Sequence, residues 1–226
     1  MGAAKELRIQ DARVLIVIPT ITGREDLLKR AVKSIREEDL LVAGAIETDH
    51  MGRGPAYCRN LAVLNTLNAG GDPEFIAFLD DDDEFQPGHV GKLLAHAEAT
   101  GADVVYPWFD LMAGGRPANE RGDNLLLIDG RPAFGQPFSA SALQANNYIP
   151  VTALVRTSLF VAVGGFPQTN SPEWPHADCE DWGLWQRLLA AGAKFEHLPE
   201  RTWTWHWHGK NTSGRPDRAA TIYGGN

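Results

Sequence analysis

The chain is short of cysteine, of net positive charge and of long apolar runs. Its two cysteines, Cys58 and Cys179, lie far apart without metal-ligand spacing, a pattern that fits free thiols in a reducing compartment better than a disulfide framework. No stretch approaches the ~18 apolar residues of a membrane span, and residues 1–10 lack the apolar centre of a signal peptide. A soluble, cytoplasmic protein is therefore expected. The net charge of −8 argues against nucleic acid as a partner gripped mainly through its phosphates. Gly-x-Gly-x-x-Gly and Walker motifs are absent, which argues against dehydrogenases and kinases. Internal repeats and low-complexity segments are missing too.

What is present suffices for one generous domain: 226 residues, 43% of them hydrophobic. Residues 73–85, PEFIAFLDDDDEF, organise the rest. Residues 75–79 read as a strand buried on both faces, and Asp80, Asp81, Asp82, Asp83 and Glu84 follow at once. Like charges ~4 Å apart oppose each other by about 1 kcal/mol in water and about 4 near a protein surface. Such a run is either a solvated acidic loop or a site for a divalent cation. Hard oxygen ligands suit Mg²⁺ or Mn²⁺. On an extended backbone Asp80 and Asp82 would converge while Asp81 and Asp83 point away.

Residues 14–18 (VLIVI) predict a second buried strand, and Thr22 and Glu25 have the spacing of a capping box before a helical stripe at 27–35. Strands are expected at 40–46 and 103–108, and helices at about 56–67, from Pro87 to Gly101, and at about 179–191. Four strand–helix units in the first half predict an α/β fold with a Rossmann-like, mostly parallel sheet flanked by helices. Residues 113–147 lose periodicity and read as loops with a hairpin, a common place for specificity-bearing surface. Residues 151–155, 194–198 and 202–208 are strand-like, and the rest is tail.

Three groups carry chemistry. Pro19-Thr20, Glu47-Thr48-Asp49 and Asp80–Asp83 end parallel strands and should line one crevice, where a nucleotide meets carboxylates and arginines such as Arg24 or Arg59. Asp49 taken alone reads first as a turn or cap residue. Glu180 and Asp181 open a helix, where acids either cap it or serve as a general base, with Trp174, Trp182 and Trp185 offering ring surface to a sugar. In RTWTWHWHGKNTS, period 2 puts Trp203, Trp205 and Trp207 on one face as core and projects His206 and His208 together from the other. Those histidines either ligate a metal or bond at a sheet edge.

The ordered set VIPT with Arg24, GRGPAYCRN, FLDDDDEF, ALVRTSLFVAVGGF, EDWGLWQRLLAAG and WHWHGKNTS resembles the family 2 glycosyltransferases, from about residue 14 to 213. The resemblance implies a GT-A fold with a nucleotide-sugar-binding half at about 14–110, an acceptor half at about 111–213 and a tail at 214–226. It implies an inverting, metal-dependent transfer from a UDP- or GDP-sugar type donor to a hydroxyl of unknown identity. Pro19, Thr20, Arg24, Asp49, Arg59, Asn60, Asp80 and Asp81 would then meet the nucleotide. Asp82 and Asp80 would hold Mn²⁺ or Mg²⁺ with His208 or His206, Asp181 with Glu180 would be the base, and Trp174 and Trp182 would face the acceptor. The second-strand end, Glu47 to Gly52, departs from the family's acid–acid–Gly–Ser pattern. A nucleotidyltransferase would carry a basic glycine-rich loop near the N-terminus, which residues 19–24 are not. A protein that only binds nucleotide-sugars or glycans would have no use for both sets of acids.

Overall fold

Val14, Leu15, Ile16, Val17 and Ile18 leave a strand no polar face, so it must lie inside a sheet covered on both sides. The computed structural model describes residues 11–36, 42–117, 127–128, 131–132, 136–168 and 179–208. In it β1 (Val14–Thr20) is buried along its whole length. The order continues α1 (Glu25–Ile35), β2 (Val42–Thr48), α2 (Pro55–Asn68), β3 (Phe75–Phe78), β4 (Glu84–Phe85), α3 (His89–Thr100) and β5 (Val104–Ala113). It then runs β6 (Arg116–Pro117), β7 (Leu127–Ile128), β8 (Arg131–Pro132), α4 (Ala140–Ala145), β9 (Leu154–Arg156), α5 (Thr157–Ala162), α6 (Glu180–Ala190) and β10 (Phe195–Trp207). Among the described residues no helix is long and apolar enough to cross a membrane.

The main sheet has the order β2-β1-β3-β9-β5-β10-β4, with β6 hanging on β5. β1 runs parallel to β2 and β3, and β5 parallel to β10. Alternation then divides the core in two. Ile16, Ile18, Phe75, Ala77 and Val105 face α1 and α3, meeting Ala31, Val90, Leu93 and Ala97. Leu15, Val17, Ile76, Phe78, Val104 and Tyr106 face α2 and α6, meeting Ala62, Val63, Leu184, Trp185 and Leu188. Helices thus cover both faces, and the mostly parallel α/β sheet expected from the sequence is there.

Several local expectations need correction. β9 lies antiparallel between β3 and β5, with Ala77 opposite Leu154 and Val104 opposite Val155. β10 is one strand of 13 residues rather than two short ones. Its register shifts between Leu198 and Arg201 because Pro199 has no N–H to donate and the ladder must bulge around it. The capping box does not form: Arg24 occupies the N-cap, and the Glu25 carboxylate accepts from Gly23 N at 3.0 Å. Within 113–147 the hairpin appears as β7–β8. The same stretch also holds α4, capped by Ser139, whose Oγ accepts from Ala142 N. Six residues are too few for a helical period to show in sequence.

Candidate active site

Leu79 is the last residue of the β3 run with no exposure, and the chain then turns, Asp83 N donating to the Asp80 carbonyl at 3.1 Å. That turn changes which acids meet. Carboxylate oxygens of Asp80, Asp82 and Asp83 lie within 4.8 Å of one another. Asp83 was expected to point away and instead joins the group, because alternation holds only while the backbone stays extended. Asp81 does turn aside. Its Oδ2 accepts from Thr20 Oγ1 at 2.6 Å and its Oδ1 pairs with Arg24 Nη1 at 3.0 Å.

Burial, then the charges of Asp82 and Asp80, push the Asp83 carboxyl well above the ordinary range, although His206 N donates to it at 2.8 Å. Burial raises Asp81 to about 6 against the opposing pull of Thr20 and Arg24. It raises Asp80 too, against Arg59. Three hard carboxylate oxygens at this spacing fit a divalent cation. Asp80, Asp82 and Asp83 could hold it.

The two histidines part company. His208 Nε2 lies 2.9 Å from Asp82 Oδ2 and could add a nitrogen ligand. His206 Nε2 meets Glu84 Oε2 at 2.6 Å, so its ring holds the far end of the acidic loop rather than Asp82. Arg24 Nη2 also reaches Asp82 Oδ2, at 2.5 Å, and Arg30 donates to the Asp82 carbonyl. Trp203 and Trp205 are core residues, as their face of β10 implied.

At the neighbouring strand ends, Pro19 in β1 sits opposite Glu47 in β2, and Asp49 N donates to the Thr20 carbonyl at 2.8 Å. The Asp49 side chain is a turn organiser: Oδ1 accepts from Met51 N and Arg53 N, and Oδ2 from Gly54 N at 2.7 Å. Partial burial works against its charge, but these N–H donors outweigh it and hold the carboxyl below the ordinary range. This loop delivers the chain into α2 through Pro55 at its first turn. Arg59 and Asn60 then face the protein. Arg59 Nη2 pairs with Asp80 Oδ1 at 2.5 Å and Nη1 with Glu180 Oε1 at 2.7 Å. Those two carboxylates keep the guanidinium charged although burial opposes it. Asn60 donates to the Phe166 carbonyl and accepts from Phe166 N, both at 2.9 Å.

Glu180 and Asp181 form the first turn of α6. Asp181 Oδ1 accepts from Asn147 Nδ2 at 3.0 Å and from Trp182 N at 2.8 Å. Burial, and secondly the charge of Glu180, raise its carboxyl to about 7, where a group can take and release protons near neutrality. The indoles differ from expectation. Trp185 has no exposed surface and donates to the Ile149 carbonyl, so it offers nothing to a ligand. Trp182 donates to the Leu143 carbonyl at 2.7 Å and props α4. Trp174 lies outside the described residues. Sequence reasoning missed Asn147 and Arg30. Neither lies in a periodic or charged pattern that singles it out.

The model of the family described as Glycosyl transferase family 2 matches residues 49–164. A pre-mycofactocin glycosyltransferase of Mycobacterium tuberculosis is 30% identical over 211 residues, covering 82% of this chain and 41% of the relative. The chain thus spans less than half the length of the curated relatives it matches. Staphylococcus aureus TarS 1–349 in complex with UDP-GlcNAc superposes with a TM-score of 0.62 at 14% identity, over 90% of this chain and 61% of TarS 1–349. The mannosyltransferase PcManGT from Pyrobaculum calidifontis, in complex with GDP-Man and Mn²⁺, gives 0.57 at 13% identity, over 89% of this chain and 58% of PcManGT. At such identities the likeness is one of fold.

Proposed function

Because the chain belongs to glycosyl transferase family 2 and has the GT-A fold, we propose that it is an inverting glycosyltransferase. It moves a sugar from a nucleoside-diphosphate sugar of the UDP or GDP type to an acceptor hydroxyl. One observation carries this reading. The acidic strand end and the helix bearing a carboxylate raised to about 7 are joined by a single arginine, through Asp80–Arg59–Glu180.

Thr20, Arg24 and Asp80 line the donor side of the crevice, with Arg24 aimed at phosphate charge and Asp80 at ribose hydroxyls. Asp80, Asp82 and Asp83, with His208 beside Asp82, would hold Mn²⁺ or Mg²⁺, which when bound neutralises the departing diphosphate. Asp181 takes the proton from the acceptor hydroxyl. The oxygen then forms its bond to the anomeric carbon as the bond to the β-phosphate oxygen breaks, on the opposite face of the sugar. Proton transfer of this kind typically contributes ~10²–10⁴ in rate.

Thermal shift with a panel of nucleotide-sugars in Mn²⁺ tests the donor, since a ligand that binds only the folded state raises the melting temperature. Release of the free nucleoside diphosphate in the presence of acceptor hydroxyls then tests turnover. Stabilisation by a donor together with release supports the proposal. Stabilisation with no release from any acceptor class would leave a binding protein, and no response to any donor would end the reading.

A further inference from the structure

Arg59 is 2% exposed, on a face of α2 otherwise buried through Ala56, Cys58, Ala62, Val63 and Thr66. Its two partners come from chain segments 21 and 121 residues away, and its guanidinium lies 5.2 Å from the centroid of the Phe166 ring. Among the described residues Nε finds no hydrogen-bond partner. A buried ion bridge with an unsatisfied N–H is a poor stabiliser compared with an apolar side chain of similar volume. What it does supply is geometry. The planar fork holds two carboxylates on separate nitrogens at a fixed spacing, where a lysine offers a single point charge on a flexible stem. The base of the fork is fixed as well, because the next residue, Asn60, grips both backbone polar atoms of Phe166.

We propose that Arg59 is a positioning residue, a brace that sets the helix carrying Asp181 at its working distance from the strand end carrying Asp80. The inference rests on the reading of Asp181 as the base. Glu180 immediately precedes Asp181 in the first turn of α6, so holding Glu180 fixes where Asp181 begins. Among the described residues, the charged groups acting on Asp181 are Glu180 on its own helix and Arg59 from α2, and Asn147 and the Trp182 amide donate to it. Removing Arg59 leaves Glu180 uncompensated beside the base. A displacement of ~1 Å at such a site can cost ~10²-fold in rate.

The test uses the full chain with Arg59→Lys, Arg59→Gln, Glu180→Gln and the Arg59→Lys/Glu180→Gln pair. We expect Arg59→Lys to lower kcat at least ~10-fold while the donor Kd moves less than ~3-fold. The pair should lose no more than its worse single member, because both changes cut one bridge. Carboxyl NMR should show Asp181 titrating at higher pH in Arg59→Gln than in the unaltered chain, and Arg59→Lys should restore part of that shift. Additive losses in kcat overturn the brace, as does a donor Kd that weakens with kcat unchanged, which marks a direct nucleotide contact. Where Arg59→Gln does not fold, Glu180→Gln takes its place: Asp181 must then titrate lower, and an unchanged titration overturns the brace. The titration needs no turnover. An unaltered chain that transfers no sugar sinks the glycosyltransferase reading, while the Asp181 shift still decides the brace.

Discussion

Arg24 places Nη2 2.5 Å from Oδ2 of Asp82, the same oxygen that the His208 ring reaches at 2.9 Å. Its Nη1 lies 3.0 Å from Asp81. The guanidinium therefore occupies the Asp82 oxygen that a cation would need, and it offsets the charge of the acidic turn. A divalent ion that takes Asp82 displaces one Arg24 contact and leaves this fork open to a diphosphate. Arg24→Gln should accordingly bind Mn²⁺ alone about threefold to tenfold more tightly. It should bind the nucleoside diphosphate at least tenfold more weakly, in line with ~1.5–3 kcal/mol for hydrogen bonds to charged groups. Calorimetry with each ligand separates the two effects. Weaker Mn²⁺ binding would show that Arg24 supports the site rather than competing for it.

The two late histidines should behave differently although only two residues separate them. His208→Gln removes the nitrogen beside Asp82, and Mn²⁺ affinity should fall about tenfold. His206→Gln breaks a contact to Glu84 instead. Both of those side chains are partly exposed, so about 0.2–1 kcal/mol is at stake. Its melting temperature should drop by at most about 2–4 °C with Mn²⁺ affinity kept within about twofold. Equal losses of metal affinity in the two variants would contradict the assignment.

Asp181 should cost the fold stability at high pH. Its carboxyl rises from 3.8 to about 7 in the fold, with burial as the first cause. Below about pH 4 it is protonated in both folded and unfolded chains, and the fold bears no cost from it. As pH rises through about 7 the folded chain must ionise a poorly solvated group, and that contribution to stability is lost. Asp181→Asn should therefore melt higher than the unaltered chain at pH 8 and no higher at pH 4. It should also lose ~10²–10⁴ in kcat while donor binding stays nearly intact. In the unaltered chain kcat should fall about tenfold per pH unit below about 7. Loss of donor binding along with turnover would make Asp181 structural.

The parts of this molecule that announced themselves in sequence are those where one physical rule acts alone. Val14–Thr20 and Phe75–Phe78 are strands because β-branched and aromatic runs permit little else, and the acids that follow the second had to gather at the sheet's edge. The rule failed where the chain leaves extended geometry. Asp83 turned inward with Asp80 because the loop closes on itself. Asp49 went to backbone N–H groups because the Met51–Gly54 turn offered three of them at close range. β9 has three residues, too few to reveal a direction, and lies antiparallel through contacts on both sides. Asn147 is named by no motif. Its amide reaches Asp181 because α4, which ends just before it, is tied to α6 by Trp182 and Gln186 at the Leu143 carbonyl.

Gly165 offers a test of how far the site depends on the grip of Asn60 on Phe166. It sits at φ +66°, and a β-carbon there would lie 2.4 Å from Asn60 Oδ1 and 3.0 Å from the Phe160 ring. An alanine in the left-handed region costs ~1–2 kcal/mol by itself. The overlap adds to this by driving Asn60 off the Phe166 backbone, and with it the residue next to Arg59. Gly165→Ala should lose about 2–4 kcal/mol in urea unfolding and should lower kcat as well. Adding Asn60→Ala removes the clashing amide, so the double variant should be less destabilised than the sum of the two singles. Additive losses would mean that strain in the turn, and not the clamp on Asn60, is what glycine relieves at this position.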